Sequence, residues 1–170
     1  MTSSQMCVRR MESSDLELVL AWRNHPDVRS YMYTKHEISL VEHTRWFEKA
    51  SKSNGAHLLI FEYEGVPRGF CNIKEIADGG IADWGFYIAP EASTVTGRML
   101  GEAVLTYAFT TAKIHKLCGQ VLKYNKKSII FHKKMGFVQE GVLRDQHYDG
   151  LKYHDVVCFG LFANEWKLNS

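Results

Sequence analysis

Two hydrophobic periods run through this chain, the alternation of a strand and the three-to-four spacing of a helix, and the places where one replaces the other mark out its elements. Met6-Cys-Val-Arg9 is a short opening strand. Ser14-Asp-Leu-Glu17 has the spacing of a capping box and starts a helix that carries Leu16, Leu18, Val19, Leu20 and Trp22. Asn24-His-Pro26 ends it, because the residue before a proline is pushed out of helical geometry. A second box, Ser39-Leu-Val-Glu42, starts a helix that runs through Trp46 and Phe47 to about Ser51.

A meander follows. His57–Tyr63 is a strand, Glu64-Gly65 a turn, and Val66–Glu75 the hairpin partner. Asp78-Gly79-Gly80 turns the chain into a strand over Ile81–Ala89, where Gly85 marks a bulge or a close approach of another backbone. Pro90–Thr96 is a loop. Met99, Leu100, Ala103, Val104, Tyr107 and Ala108 then give the strongest helical pattern of the chain. Lys116–Leu122 is a strand. Asn125 to Gly136 is a helix in which Asn125 or Ser128 caps the first amides and Gly136 takes the left-handed position after the last turn. Phe137–Arg144 and Val156–Phe162 close the chain as strands on either side of Asp149-Gly150. The order β-α-α-β-β-β-α-β-α-β-β predicts an α/β (α+β) domain, a mixed and mostly antiparallel sheet flanked by four helices.

Composition narrows the function classes. At 170 residues the chain is one domain, and at a net charge of +2 nothing global calls for nucleic acid or a membrane surface. Cys7, Cys71, Cys118 and Cys158 are scattered in apolar settings with no C-x-x-C pair, which predicts buried free thiols in a reducing compartment. The histidines show no H-E-x-x-H spacing, so no metal is expected. Arg9-Arg10 near the N-terminus is followed by no apolar leader segment, and no run of about 18 apolar residues exists. The expectation is a cytoplasmic protein.

The segment Asn125-Lys-Lys-Ser128-Ile-Ile-Phe-His132-Lys-Lys-Met-Gly136-Phe137 resembles the N-x-x-[SA]-x-x-[LF]-Y-x-x-x-G-F stretch of the GNAT superfamily of N-acetyltransferases, with His132 in place of the tyrosine. The resemblance implies a single acetyltransferase domain over residues 1–170, about seven strands with the fourth and fifth splayed apart, and acetyl-CoA as cosubstrate. His132 would then stand beside the reacting sulfur. Histidine has a reference pKa of about 6.5, so the expectation is a catalytic general acid that is partly charged at neutral pH and makes the leaving-group step pH-sensitive. The plain alternative is a packed helical histidine.

Several cofactor contacts follow from the same resemblance. The family's pyrophosphate loop, [QR]-x-x-G-x-[GA], falls on Ala92 to Gly97, where only Gly97 matches. Backbone amides from Val95, Thr96, Gly97, Arg98 and Met99 at a helix start suit a phosphate. Arg98 adds a charge or is simply a solvated first-turn residue. The resemblance also gives the backbone of Phe86 and Ile88 to the pantetheine arm, together with Asn125 and Ser128 on the next helix.

The acceptor amine is read from the N-terminal half. Trp22-Arg-Asn-His-Pro-Asp-Val-Arg-Ser-Tyr-Met32 and Ser39–Phe47, with Asn72-Ile-Lys74, Gly85-Phe-Tyr87 and Lys152-Tyr-His-Asp155, resemble the acetyltransferases of the pseudaminic-acid pathway. Those act on the 4-amino group of a UDP-4-amino-4,6-dideoxy sugar. By that likeness Arg23, His43 and Lys74 are the cations for the pyrophosphate, and Tyr87 or Trp84 the aromatic surface for uracil. Each has a plainer role: Arg23 as a helix C-terminal arginine balancing the dipole, Lys74 and His43 as solvated surface. A ribosomal-protein-type N-terminal acetyltransferase and a non-catalytic acyl-CoA-binding module are the rivals, and the chain is expected to be a monomer or homodimer.

Overall fold

The computed structural model describes residues 5–169. Its strands are β1 (Met6–Arg10), β2 (Ala56–Tyr63), β3 (Val66–Ala77), β4 (Ile81–Ile88), β5 (Lys116–Leu122), β6 (Val138–Tyr148) and β7 (Tyr153–Phe162). The helices are α1 (Leu16–Asn24), α2 (Pro26–Arg29), α3 (Leu40–Ala50), α4 (Thr96–Thr106), α5 (Lys126–Lys134) and α6 (Ala163–Asn169). The strands form one sheet in the order β1-β2-β3-β4-β5-β7-β6. Every pairing is antiparallel except β4 with β5.

That parallel pair is short. Ile81, Ala82 and Asp83 pair with Lys116, Leu117 and Cys118, and the ladder then stops. Further along, β4 stays on β3 as far as Ile88, while β5 stays on β7 as far as Leu122. The sheet therefore opens into a wedge with its apex at Asp83 and Cys118. Trp84–Ile88 forms one edge and Gly119–Leu122 the other.

Alternation along the strands sends side chains into two cores. Leu59, Phe61, Ile73, Ala82, Trp84, Leu117, Val121, Phe159 and Leu161 pack with α4 and α5 on one face. Leu58, Ile60 and Phe70 pack with Val19 and Trp22 of α1, and with Trp46 and Phe47 of α3, on the other. α5 sits where its caps dictate: the Asn125 side chain accepts from the Ser128 amide at 3.2 Å, and Gly136 has φ +92° directly after the helix.

Some expectations need correction. The capping box at the first helix is Glu12 with Asp15, not Ser14 with Glu17: Asp15 Oδ2 accepts from the Glu12 amide at 2.8 Å and closes a 3₁₀ turn ahead of α1. The described residues form six α-helices where four are expected. α2 begins on Pro26 at N1, and at α6 the Glu165 carboxylate caps by accepting from the Phe162 amide at 2.9 Å. Gly85 is not a bulge, since it pairs in register with Asn72. Of the cysteines only Cys71 is buried; Cys118 and Cys158 are half-buried and Cys7 is exposed.

Candidate active site

The wide end of the wedge meets the start of α4. Helix geometry leaves the amides of Gly97 and Arg98 without an intrahelical acceptor, whereas the Thr96 amide is taken by Ser93 O at 3.0 Å. Val95 holds φ −79° and ψ −16°, a right-handed conformation that valine adopts without strain, so the missing glycine is not required by the backbone. Gly97 is buried, and a Cβ there would come within 3.0 Å of Ile88 Cδ1. Arg98 points along the helix, paired with Glu102 at 2.8 Å and largely exposed. Met99 packs against the core behind the loop. Asn125 and Ser128 spend polar groups on α5 itself, as its cap and as an acceptor for His132.

Beneath the apex lies His132, only 3% exposed. Its Nδ1 is 2.8 Å from the Ser128 carbonyl, which can only accept, so that nitrogen carries the proton. Its Nε2 then accepts from the indole Nε1–H of Trp84 at 3.2 Å. The rings of Phe86, Phe131, Phe137 and Phe159 surround the imidazole. Burial pushes its pKa down to about 4, against a smaller upward pull from the Ser128 carbonyl. The expected partly charged imidazole is therefore corrected: His132 is neutral at neutral pH.

Trp84 is also relocated. Ala82, Trp84, Phe86 and Ile88 face the α4/α5 core, so strict alternation removes Trp84 from the acceptor side. Asp83, Gly85 and Tyr87 face the opposite way, toward α1 and α3. There the β3–β4 register sets Lys74 opposite Asp83, Asn72 opposite Gly85, and Phe70 opposite Tyr87. A Cβ on Gly85 would meet nothing within 4 Å, so this stretch is the open floor of a basin beside the apex.

Four buried side-chain atoms among the described residues lack a partner: Arg23 Nη1, His43 Nε2, Asn72 Oδ1 and His147 Nε2. Arg23 reaches Thr34 O with Nη2 at 3.1 Å, and burial, with a smaller push from Arg29, lowers its pKa. Tyr87 lies close enough to feel that charge, and burial raises its phenol well above the usual range. His43 is only 4% exposed and stacked on Trp46, and burial lowers its pKa. It is thus a neutral core group, which corrects both the pyrophosphate cation and the solvated surface residue expected. Lys74 is exposed.

Sequence reasoning missed two features here. Asp83 is half-buried at the apex, its carboxylate makes no hydrogen bond among the described residues, and burial raises its pKa. Its signal was the same alternation, which puts Asp83 on the face of Tyr87. Tyr33 folds over the far wall, donates to Gln120 Oε1 at 3.3 Å and packs its ring 4.8 Å from that of His147. No local pattern announces that contact.

The sequence and the fold as a whole are matched by known proteins. The family described as acetyltransferase (GNAT) domain matches residues 5–138. The chain belongs to this family. This GNAT enzyme is 30% identical over 146 residues to the acetyltransferase PseH of Campylobacter jejuni, covering 85% of this chain and 90% of that protein. It is 26% identical over 159 residues to the spermidine N(1)-acetyltransferase of Vibrio cholerae, covering 91% of each. The solved Vibrio cholerae spermidine N-acetyltransferase in complex with CoA and spermine has a TM-score of 0.87 at 25% identity, over 96% of this chain and 98% of that one. No helix among the described residues is long and apolar enough to cross a membrane.

Proposed function

We propose that this N-acetyltransferase moves an acetyl group from acetyl-CoA to the 4-amino group of a UDP-4-amino-4,6-dideoxy sugar, by direct attack in a ternary complex. The observation that carries the acceptor class is Arg23. A guanidinium with a buried, unpartnered Nη1 and a second arginine nearby is unfavourable until an anion arrives. The pyrophosphate of a nucleotide sugar is such an anion, and Lys74 offers a further charge across the basin. The likeness to PseH over most of the chain supports the same reading.

The chemistry follows from the apex. Acetyl-CoA lies in the wedge, its phosphates at the amides of Gly97 and Arg98 and its arm along the edge of Phe86 and Ile88. The thioester then reaches the narrow end near Asp83. The neutral amine forms the C–N bond, the carbonyl π pair moves to oxygen, and on collapse the C–S bond breaks with its electron pair on sulfur. The proton shed by the nitrogen goes to Asp83, whose half-buried carboxylate is a stronger base than a solvated one.

Similarity to spermidine acetyltransferases gives a second reading, since Asp83 could equally hold an ammonium group. A polyamine chain leading away from Asp83 would, however, lie against Arg23 and Lys74, and a cationic protein N-terminus meets the same obstacle. Release of CoA thiol with the UDP-4-amino sugar, spermidine and an N-terminal peptide offered separately tests the proposal. Turnover is expected with the sugar; turnover confined to spermidine or the peptide overturns it.

A further inference from the structure

His132 cannot perform the task its place in the family motif suggests. Its one proton sits on Nδ1 and is held by Ser128 O at 2.8 Å within its own helix. Its other nitrogen presents a lone pair, already engaged by the Trp84 indole at 3.2 Å. Nothing on the wedge side of the imidazole can donate.

The two ring nitrogens meet just past the apex. Trp84 is the first residue of β4, and Gly119 the first of β5, beyond the last paired residues Asp83 and Cys118. A Cβ at Gly119 would stand 2.7 Å from His132 Nε2 and 3.1 Å from Trp84 Nε1. Only glycine leaves room for both rings. Phosphates at the wide end and an arm running down the wedge bring the thioester sulfur to this point.

We propose that the hydrogen-bond donor to the departing CoA thiolate is the indole N–H of Trp84, and that His132 is the positioning residue that aims it. This rests on acetyl-CoA lying in the wedge, and not on which amine is acetylated. At 3.2 Å the indole bond to His132 is at the long end for N–H···O or N–H···N geometry, so the N–H can tilt and be shared with a sulfur above it. The indole keeps its proton throughout. The C–S bond breaks with its pair on sulfur, the N–H stabilises that charge, and the thiolate is protonated by water after it leaves the wedge. In an aromatic cage a neutral donor serves well: its dipole is strengthened by the low dielectric and it has no charge to desolvate. The family's phenol on the helix is thus replaced by an indole on the facing strand, with histidine as its acceptor.

The test uses acetyl-CoA with whichever amine the wild type turns over. Trp84→benzothienylalanine keeps the ring shape and removes the N–H, and its kcat is expected to fall roughly 10²-fold, the loss typical of one such donor, with KM for acetyl-CoA unchanged. Trp84→Phe is the simpler variant, checked by thermal unfolding and CoA binding. His132→Gln, whose amide oxygen accepts at the place of Nε2, should keep most of kcat, whereas His132→Phe should lose it. Neither His132→Gln nor the wild type should show an imidazole limb in kcat against pH. With an acetyl thioester of a more acidic thiol the defect at Trp84 should shrink, because a better leaving group needs less help. Full kcat without the indole N–H, or a wild-type imidazole limb that His132→Gln abolishes, overturns the proposal. A Trp84 defect that stays the same for every leaving group also overturns it.

Discussion

Lys74 and Asp83 face each other across β3 and β4 at the last residue of β4 that β5 also holds. No ion pair joins them: the lysine is exposed, while the carboxylate is half-buried with its pKa raised by burial. The basin thus keeps an unpaired carboxylate beside an unpaired ammonium group. An amine can meet the first while an anionic group on the same molecule meets the second.

Replacing Asp83 by Asn separates function from stability. The ionised carboxylate is penalised in the folded state, so its folded pKa lies above its unfolded one. That cost is absent at low pH, where both states are protonated, and is fully present once pH has risen past the folded pKa. Asp83→Asn removes it, so thermal unfolding at neutral pH should shift upward. Removing a general base should cost about 10²–10⁴ in kcat. In the wild type, kcat should fall as pH drops through the raised carboxylate pKa, and the variant should lack that limb.

Arg23 is expected to govern acceptor binding. Loss of a charge-assisted contact worth about 1.5–3 kcal/mol raises KM for the nucleotide sugar by roughly 10–100-fold in Arg23→Met. KM for acetyl-CoA should stay put, because Arg23 stands on the opposite side of the sheet from α4. Steady-state kinetics with each substrate varied in turn measures both. Because the variant deletes a partly desolvated cation, its thermal midpoint should not fall.

Two glycines give opposite outcomes when changed to alanine. Gly85→Ala adds a methyl group where nothing lies within 4 Å, so stability should be unchanged while KM for the acceptor rises as the basin floor fills. Gly119→Ala drives a methyl to within 2.7 Å of His132 Nε2, on a ring tethered through Nδ1 to Ser128. Overpacking of this kind costs about 1–3 kcal/mol, measurable by urea unfolding.

Far from the basin, Arg9 joins Asp15 and Glu62, each at 2.7 Å. The Arg9 hydrogen bond holds the Asp15 carboxyl below its ordinary value. A depressed folded pKa stabilises above the unfolded pKa of about 3.9 and is lost as pH falls through the folded one. Asp15→Ala should cost about 1–3 kcal/mol at neutral pH, after allowing for the partial exposure of Arg9. The gap between variant and wild type in urea midpoints should close as the carboxyl titrates in acid.

Local signals made much of this fold legible. Lys116–Leu122 is a strand with the bounds its pattern predicts, and Asn125 and Gly136 delimit α5 through capping chemistry carried by adjacent residues. α2 spans only Pro26–Arg29, too short to show a period, and α6 starts from a cap by Glu165 rather than by a Ser, Thr, Asp or Asn. The state of His132 was not legible, because it depends on burial among the rings of Phe86, Phe137 and Phe159, which the folded sheet brings around it. The period of two along β4 puts Trp84 in the α4/α5 core, on the face opposite Tyr87. Tyr33 depends on Gln120 and His147, which only the folded sheet brings beside it.

The most direct measurement is a competition in one vessel: limiting acetyl-CoA, equal concentrations of the UDP-4-amino-4,6-dideoxy sugar and spermidine, and mass analysis of the acetylated products. An acceptor basin built around Arg23 and Lys74 predicts acetyl almost entirely on the sugar, with Arg23→Met eroding that preference. Acetyl mainly on spermidine, undiminished or increased in Arg23→Met, would contradict it.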